Sequence, residues 1–64
     1  MKKTIKASYL LDNSDVTIVG DSGGRSKVTQ GAYRSYAMPS TIIAETEHGS
    51  LYLPDDEDIL VEVY

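Results

Sequence analysis

A nucleophile, a base and acids are all present by residue type. Gly20-Asp21-Ser22-Gly23-Gly24 offers a serine in a glycine-rich turn, His48 is the one histidine, and there are ten carboxylates. A serine becomes a nucleophile only when a histidine within hydrogen-bond reach takes its proton and a carboxylate orients that histidine. Paired carboxylates need a cleft that separates their pKa values, and 64 residues rarely wall one. Glu45, Glu47 and His48 carry metal-ligating atoms, but strand alternation turns His48 away from both glutamates. Zinc needs three or four converging ligands. Asp55-Asp56-Glu57-Asp58 has oxygen ligands without the glycine or the spacing of an EF-hand loop. The backbone near Gly23-Gly24, beside Arg25, is a weak candidate anion cradle, since no Gly-Lys-Ser/Thr end and no following helix accompany it. The expectation is therefore no enzyme, no metal and no cofactor.

The same five glycine-rich residues resemble the nucleophile loop of chymotrypsin-like serine proteases, over those five residues alone. That family builds its site between two barrels, places its histidine upstream and follows the motif with proline. Here His48 lies downstream, Arg25 follows the motif, and the chain has 64 residues. The segment is read as a turn.

Residues suited to binding are easier to find. Tyr33, Arg34 and Tyr36 belong to the types enriched at interface hot spots, because they bury a large area with few rotatable bonds. The five tyrosines are the only aromatic residues; Phe and Trp are absent. Rings that border a thin core with their phenols in water account for such a composition equally well. The charge is uneven. All six basic residues (Lys2, Lys3, Lys6, Arg25, Lys27, Arg34) fall in residues 1–34, which hold three acids and carry +3. Residues 35–64 hold seven acids and no base, for −7, and the whole chain carries −4. Either the fold interleaves the halves, or an acidic face built on Asp55, Asp56, Glu57 and Asp58 meets a partner with a basic surface.

The elements that must position these residues read as short strands. Thr4–Leu11 alternates, with Ile5, Ala7, Tyr9 and Leu11 on one face. Asp12-Asn13-Ser14-Asp15 is a turn cluster, and Val16–Val19 is β-branched, so the two segments read as a hairpin. After the glycine-rich breaker, Ser26–Gln30 reads as an exposed strand and Gly31 as a bulge. Residues 32–38 read as more strand or a short helical turn, ending before Pro39. Thr41–Thr46 and Ser50–Leu53 form a hairpin around Glu47-His48-Gly49. Pro54 and the acidic loop lead to Ile59–Tyr64, with Ile59, Val61 and Val63 inward and the strand available as a pairing edge.

The expected fold is all-β: one domain over residues 1–64, a small antiparallel barrel or sandwich of five to six strands. A chain this short buries only about 60% of its unfolded surface. It has no cysteine for disulfides, so a homodimer is the expected support. No apolar run approaches the roughly 20 residues of a membrane span. Thr4–Leu11 is too short and polar for a signal sequence, and the expected location is the cytoplasm.

The functional expectation is a protein-binding module that masks a partner's surface. Small, acidic, cysteine-free accessory proteins of phages and mobile elements, some of them inhibitors of host nucleases or defence complexes, share this general character. The alternatives are a structural subunit that assembles with itself, and a small nucleic-acid-binding barrel using Arg25, Lys27, Arg34, Tyr33 and Tyr36. The net charge of −4 argues against the last.

Overall fold

A computed structural model describes residues 1–20 and 22–63. Asp21 and Tyr64 lie outside the described residues, so the expectations placed on them stop there. Six strands form: β1 (Lys2–Lys6), β2 (Val16–Val19), β3 (Arg25–Arg34), β4 (Thr41–Thr46), β5 (Gly49–Pro54) and β6 (Asp58–Val63). They make one antiparallel sheet in the order β1-β6-β2-β3-β4-β5, and the sheet is not closed. The all-β, antiparallel expectation holds; closure into a barrel does not occur. The Cα radius of gyration is 10.5 Å, close to the roughly 10.7 Å of a compact chain of this length, so the open sheet folds over its own core.

The bend sits in β3. Its first half pairs with β2 and its second half with β4. From Val28↔Thr46 to Ala32↔Ala44 it advances four residues while β4 moves two, which leaves two extra residues in a bulge. Gly31 lies there with φ +85°, a conformation that costs an L side chain steric strain. The sequence places this bulge correctly.

The first predicted hairpin does not form. Residues 7–11 are a 3₁₀ helix, and β6 lies between β1 and β2, paired with both. The 3₁₀ repeat of three residues brings Ala7 and Leu10 onto one side, and both are fully buried. Tyr9, which strand alternation would point inward, is 45% exposed. The first N–H groups of the helix are satisfied by the acidic loop: Ala7 N donates to Glu57 O (2.9 Å) and Ser8 N to Asp55 O (3.0 Å). Of two further expectations, continued strand over residues 32–38 holds as far as Arg34 and the other is corrected. Residues 32–38 contain no helical turn; β3 runs to Arg34, and an irregular loop of bends and turns follows. The last strand is no free edge, because β1 pairs with one side of it and β2 with the other.

Leu10, Val16, Ile18, Val28, Ala44, Ile59 and Val61 form one apolar cluster. It holds no aromatic ring, because the four described tyrosines, Tyr9, Tyr33, Tyr36 and Tyr52, are all exposed. The two-residue turn between β4 and β5 is fixed by Thr46, whose buried Oγ1 donates to Gly49 O (2.8 Å) and accepts from His48 N (3.1 Å). No helix among the described residues is long and apolar enough to cross a membrane.

Candidate partner-binding surface

Strand register brings several predicted binding residues to one end of the β3–β4–β5 half. Ile42, Ala44 and Thr46 of β4 face the core, so Thr41, Ile43 and Glu45 face outward. Tyr33 lies opposite Ile43 on one side and Tyr52 lies opposite it on the other. The three make a row across the outer face. Tyr33 is 47% exposed and Tyr52 68% exposed. Strand alternation in β5 carries the signal for Tyr52, but nothing in the sequence ranks that ring above the other tyrosines.

Glu45 ties this face together. Tyr33 Oη donates to Glu45 Oε2 at 2.8 Å, and Ser50 Oγ donates to Glu45 Oε1. These hydroxyl hydrogen bonds, Ser50's first, hold the Glu45 carboxyl below the usual glutamate range. The hydrogen bond to Glu45, burial and the carboxylate charge push the Tyr33 phenol up. The Tyr33 ring is thereby held in place before any partner arrives, which lowers the ordering cost of binding.

The loop after β3 extends the surface. Tyr36 is fully exposed and Met38 62% exposed. Met38 N donates to Ser35 Oγ (3.2 Å), Thr41 N to Met38 O (2.8 Å) and Ser35 N to Thr41 O (2.9 Å). Arg34 Nη1 donates to Pro39 O (2.8 Å) and to Asp55 Oδ2 (3.0 Å), and Asp55 N to Ser40 O (2.8 Å). Arg34 is thus a brace between this loop and the acidic loop.

The acidic segment divides in two. Asp55 pairs with Arg34, and Asp58 pairs with Lys6 at 2.8 Å. That hydrogen bond and the Asp58 charge raise the Lys6 ammonium pKa. Arg25 Nη1 lies 3.1 Å from Glu62 Oε2. That oxygen is buried and makes no hydrogen bond of good geometry, so its compensation is the ion pair. Each of these pairs joins a cation from residues 1–34 to an anion from residues 35–64. The two halves of opposite charge are therefore interleaved, which is the first of the two readings of the charge asymmetry. Asp56 and Glu57 form no ion pair among the described residues.

His48 Nδ1 is 3.1 Å from Ser26 Oγ, and Glu47 Oε2 accepts from Lys27 N (2.9 Å). Glu45, Glu47 and His48 therefore engage different partners, with none in common. No group of three metal-ligating side chains converges among the described residues. Gly20 N donates to Gly24 O (2.7 Å) and Gly23 N to Gly20 O (2.9 Å), so one donor of the candidate anion cradle, Gly23 N, serves the turn itself. The chain matches no family model, no curated protein and no solved structure.

Proposed function

We propose that this protein is a non-enzymatic binding module that docks a partner protein through the end of the β3–β4–β5 half. The reading rests on the Tyr33–Ile43–Tyr52 row, with both rings exposed and Tyr33 held by Glu45 on the same face, and on Tyr36 beyond it. Tyrosines on a rigid sheet supply contact area at low conformational cost. Asp56 and Glu57 are the acids left to meet a basic rim on the partner, while Asp55 and Asp58 shape the surface through Arg34 and Lys6. A small acidic domain of this kind masks a basic groove such as that of a nuclease, the role of an inhibitory accessory protein. Nucleic acid is the weaker reading, because Arg25 and Arg34 are engaged in ion pairs and the net charge is −4.

The test is site-specific photo-crosslinking in lysate of the natural source, with the crosslinker at Tyr36 or, as a control on the far edge, at Lys2. One protein should be captured from Tyr36 and not from Lys2. Capture should survive nuclease and weaken at least about tenfold in Asp56→Asn/Glu57→Gln, the loss of roughly 1.4 kcal/mol. Equal capture from both positions, or capture abolished by nuclease, counts against the reading.

A further inference from the structure

An open sheet has two edges, and here they are β1 and β5. Unpaired edges invite another strand unless charge or shape guards them. β1 reads Lys-Lys-Thr-Ile-Lys, and two copies meeting there would bring lysines together. β5 reads Gly-Ser-Leu-Tyr-Leu-Pro and carries no charge. Between two molecules of net charge −4, it is the edge along which like charges do not collide.

The backbone of β5 is set up for such a contact. Thr46 and Gly49 flank a two-residue turn, so Thr46↔Gly49, Ala44↔Leu51 and Ile42↔Leu53 are the hydrogen-bonded pairs of the β4–β5 ladder. The other side of β4 agrees: Glu47 N donates to Lys27 O of β3, so the odd positions of β4 face β3. The N–H and C=O of Ser50 and Tyr52 therefore point away from β4 into open space. On the core side, Leu51 and Leu53 are half-buried. They line a cleft of about 600 Å³ together with Ile18, Ile59 and Leu60, where the sheet fails to close.

We propose that β5 is a self-pairing edge, and that two copies join β5 to β5 antiparallel about a two-fold axis into one continuous sheet. The register places Tyr52 opposite the partner's Tyr52. Each Tyr52 N–H then meets the other Tyr52 C=O, and each Ser50 N–H meets the partner's Pro54 C=O. Proline has no N–H, and its C=O, which already accepts from Glu57 N within the chain (3.1 Å), serves the pairing through its second lone pair. Leu51 stands opposite the partner's Leu53, bringing apolar cover to both clefts. The contact is isologous and closes as a dimer, whereas joining β1 to β5 would propagate head to tail. The inference is independent of the partner-binding reading: the dimer adds a second Tyr33–Ile43–Tyr52 row but needs no other protein.

Sedimentation velocity on the purified chain tests it. A species of twice the 7.0 kDa chain mass is expected at micromolar to millimolar concentration. Tyr52→Pro should leave a monomer with an unchanged far-UV circular dichroism spectrum, because the Tyr52 N–H serves no bond inside the sheet. Thr4→Pro, the equivalent change on β1, should leave the dimer. Should Tyr52→Pro not fold, Tyr52→Lys and Tyr52→Glu replace it: each alone should be monomeric, and their mixture should recover a heterodimer, since position 52 opposes itself. A wild-type monomer at every concentration overturns the proposal. So does a dimer that survives Tyr52→Pro, one lost in Thr4→Pro, or lysine and glutamate variants whose mixture stays monomeric.

Discussion

Leu10→Ala is the change that best separates a 3₁₀ helix at residues 7–11 from a strand. In the structure Leu10 is fully buried, Tyr9 is 45% exposed and Leu11 lies between. Strand alternation reverses that order, with Tyr9 and Leu11 inward and Leu10 in water. Truncating a buried leucine removes about 2.4 kcal/mol of transfer free energy at ~0.8 kcal/mol per carbon. The residual cavity brings the loss to about 3–5 kcal/mol. A 64-residue domain has a total stability of roughly 3–10 kcal/mol, so Leu10→Ala removes about a third of it or more. Tyr9→Ala should cost about 1 kcal/mol, mainly its half-exposed ring and the Lys3 ammonium 5.3 Å from the ring centroid. Urea titrations followed by circular dichroism measure all three variants, and a 3 kcal/mol loss corresponds to a fall in Tm of roughly 12–24 °C. If Tyr9→Ala or Leu11→Ala costs more than Leu10→Ala, the helix assignment and the burial argument built on it are wrong.

Stability should be flat through neutral pH and fall at both extremes. The depressed Glu45 carboxyl contributes above the ordinary glutamate pKa of about 4.3, and that contribution is lost as pH falls through its folded value. The raised Tyr33 and Lys6 groups contribute below their ordinary values of about 10, and theirs is lost as pH rises through the folded values. Urea midpoints against pH should show a shallower acid limb in Ser50→Ala, because the folded Glu45 value moves back towards the unfolded one; an unchanged limb removes Glu45 from the account. Gly31→Ala should cost about 1–2 kcal/mol from the backbone alone, because the nearest atom to a new Cβ is Ser14 Oγ at 3.7 Å, an ordinary contact. Thermal melts would check this, and an unchanged Tm would mean the bulge does not need the positive φ.

Local chemistry was legible where each residue's environment is set by its neighbours in the chain. The β4–β5 hairpin, the Gly31 bulge and the inward Ile59 and Val61 all follow from alternation, β-branching and the φ freedom of glycine. So does the all-β class of a chain without cysteine, Phe or Trp. The rest was decided only by tertiary structure. Ala7 and Leu10 share a side under a period of three as readily as Ala7 and Tyr9 do under a period of two. The core's demand for Leu10, together with acceptors from Asp55 and Glu57, selects the former. The place of β6 between β1 and β2 depends on pairing across more than forty residues of sequence, which no local pattern encodes. The candidate surface divides the same way. Tyr33, Arg34 and Tyr36 were recognisable by type, but Tyr52 joins Tyr33 only through the register of β4. Which acids of the 55–58 segment are paired depends on where the first-half cations land: Arg34 reaches Asp55 and Lys6 reaches Asp58, and neither ion pair includes Asp56 or Glu57. Charge is a property of each residue, but its neutralisation is a property of the distances the fold creates.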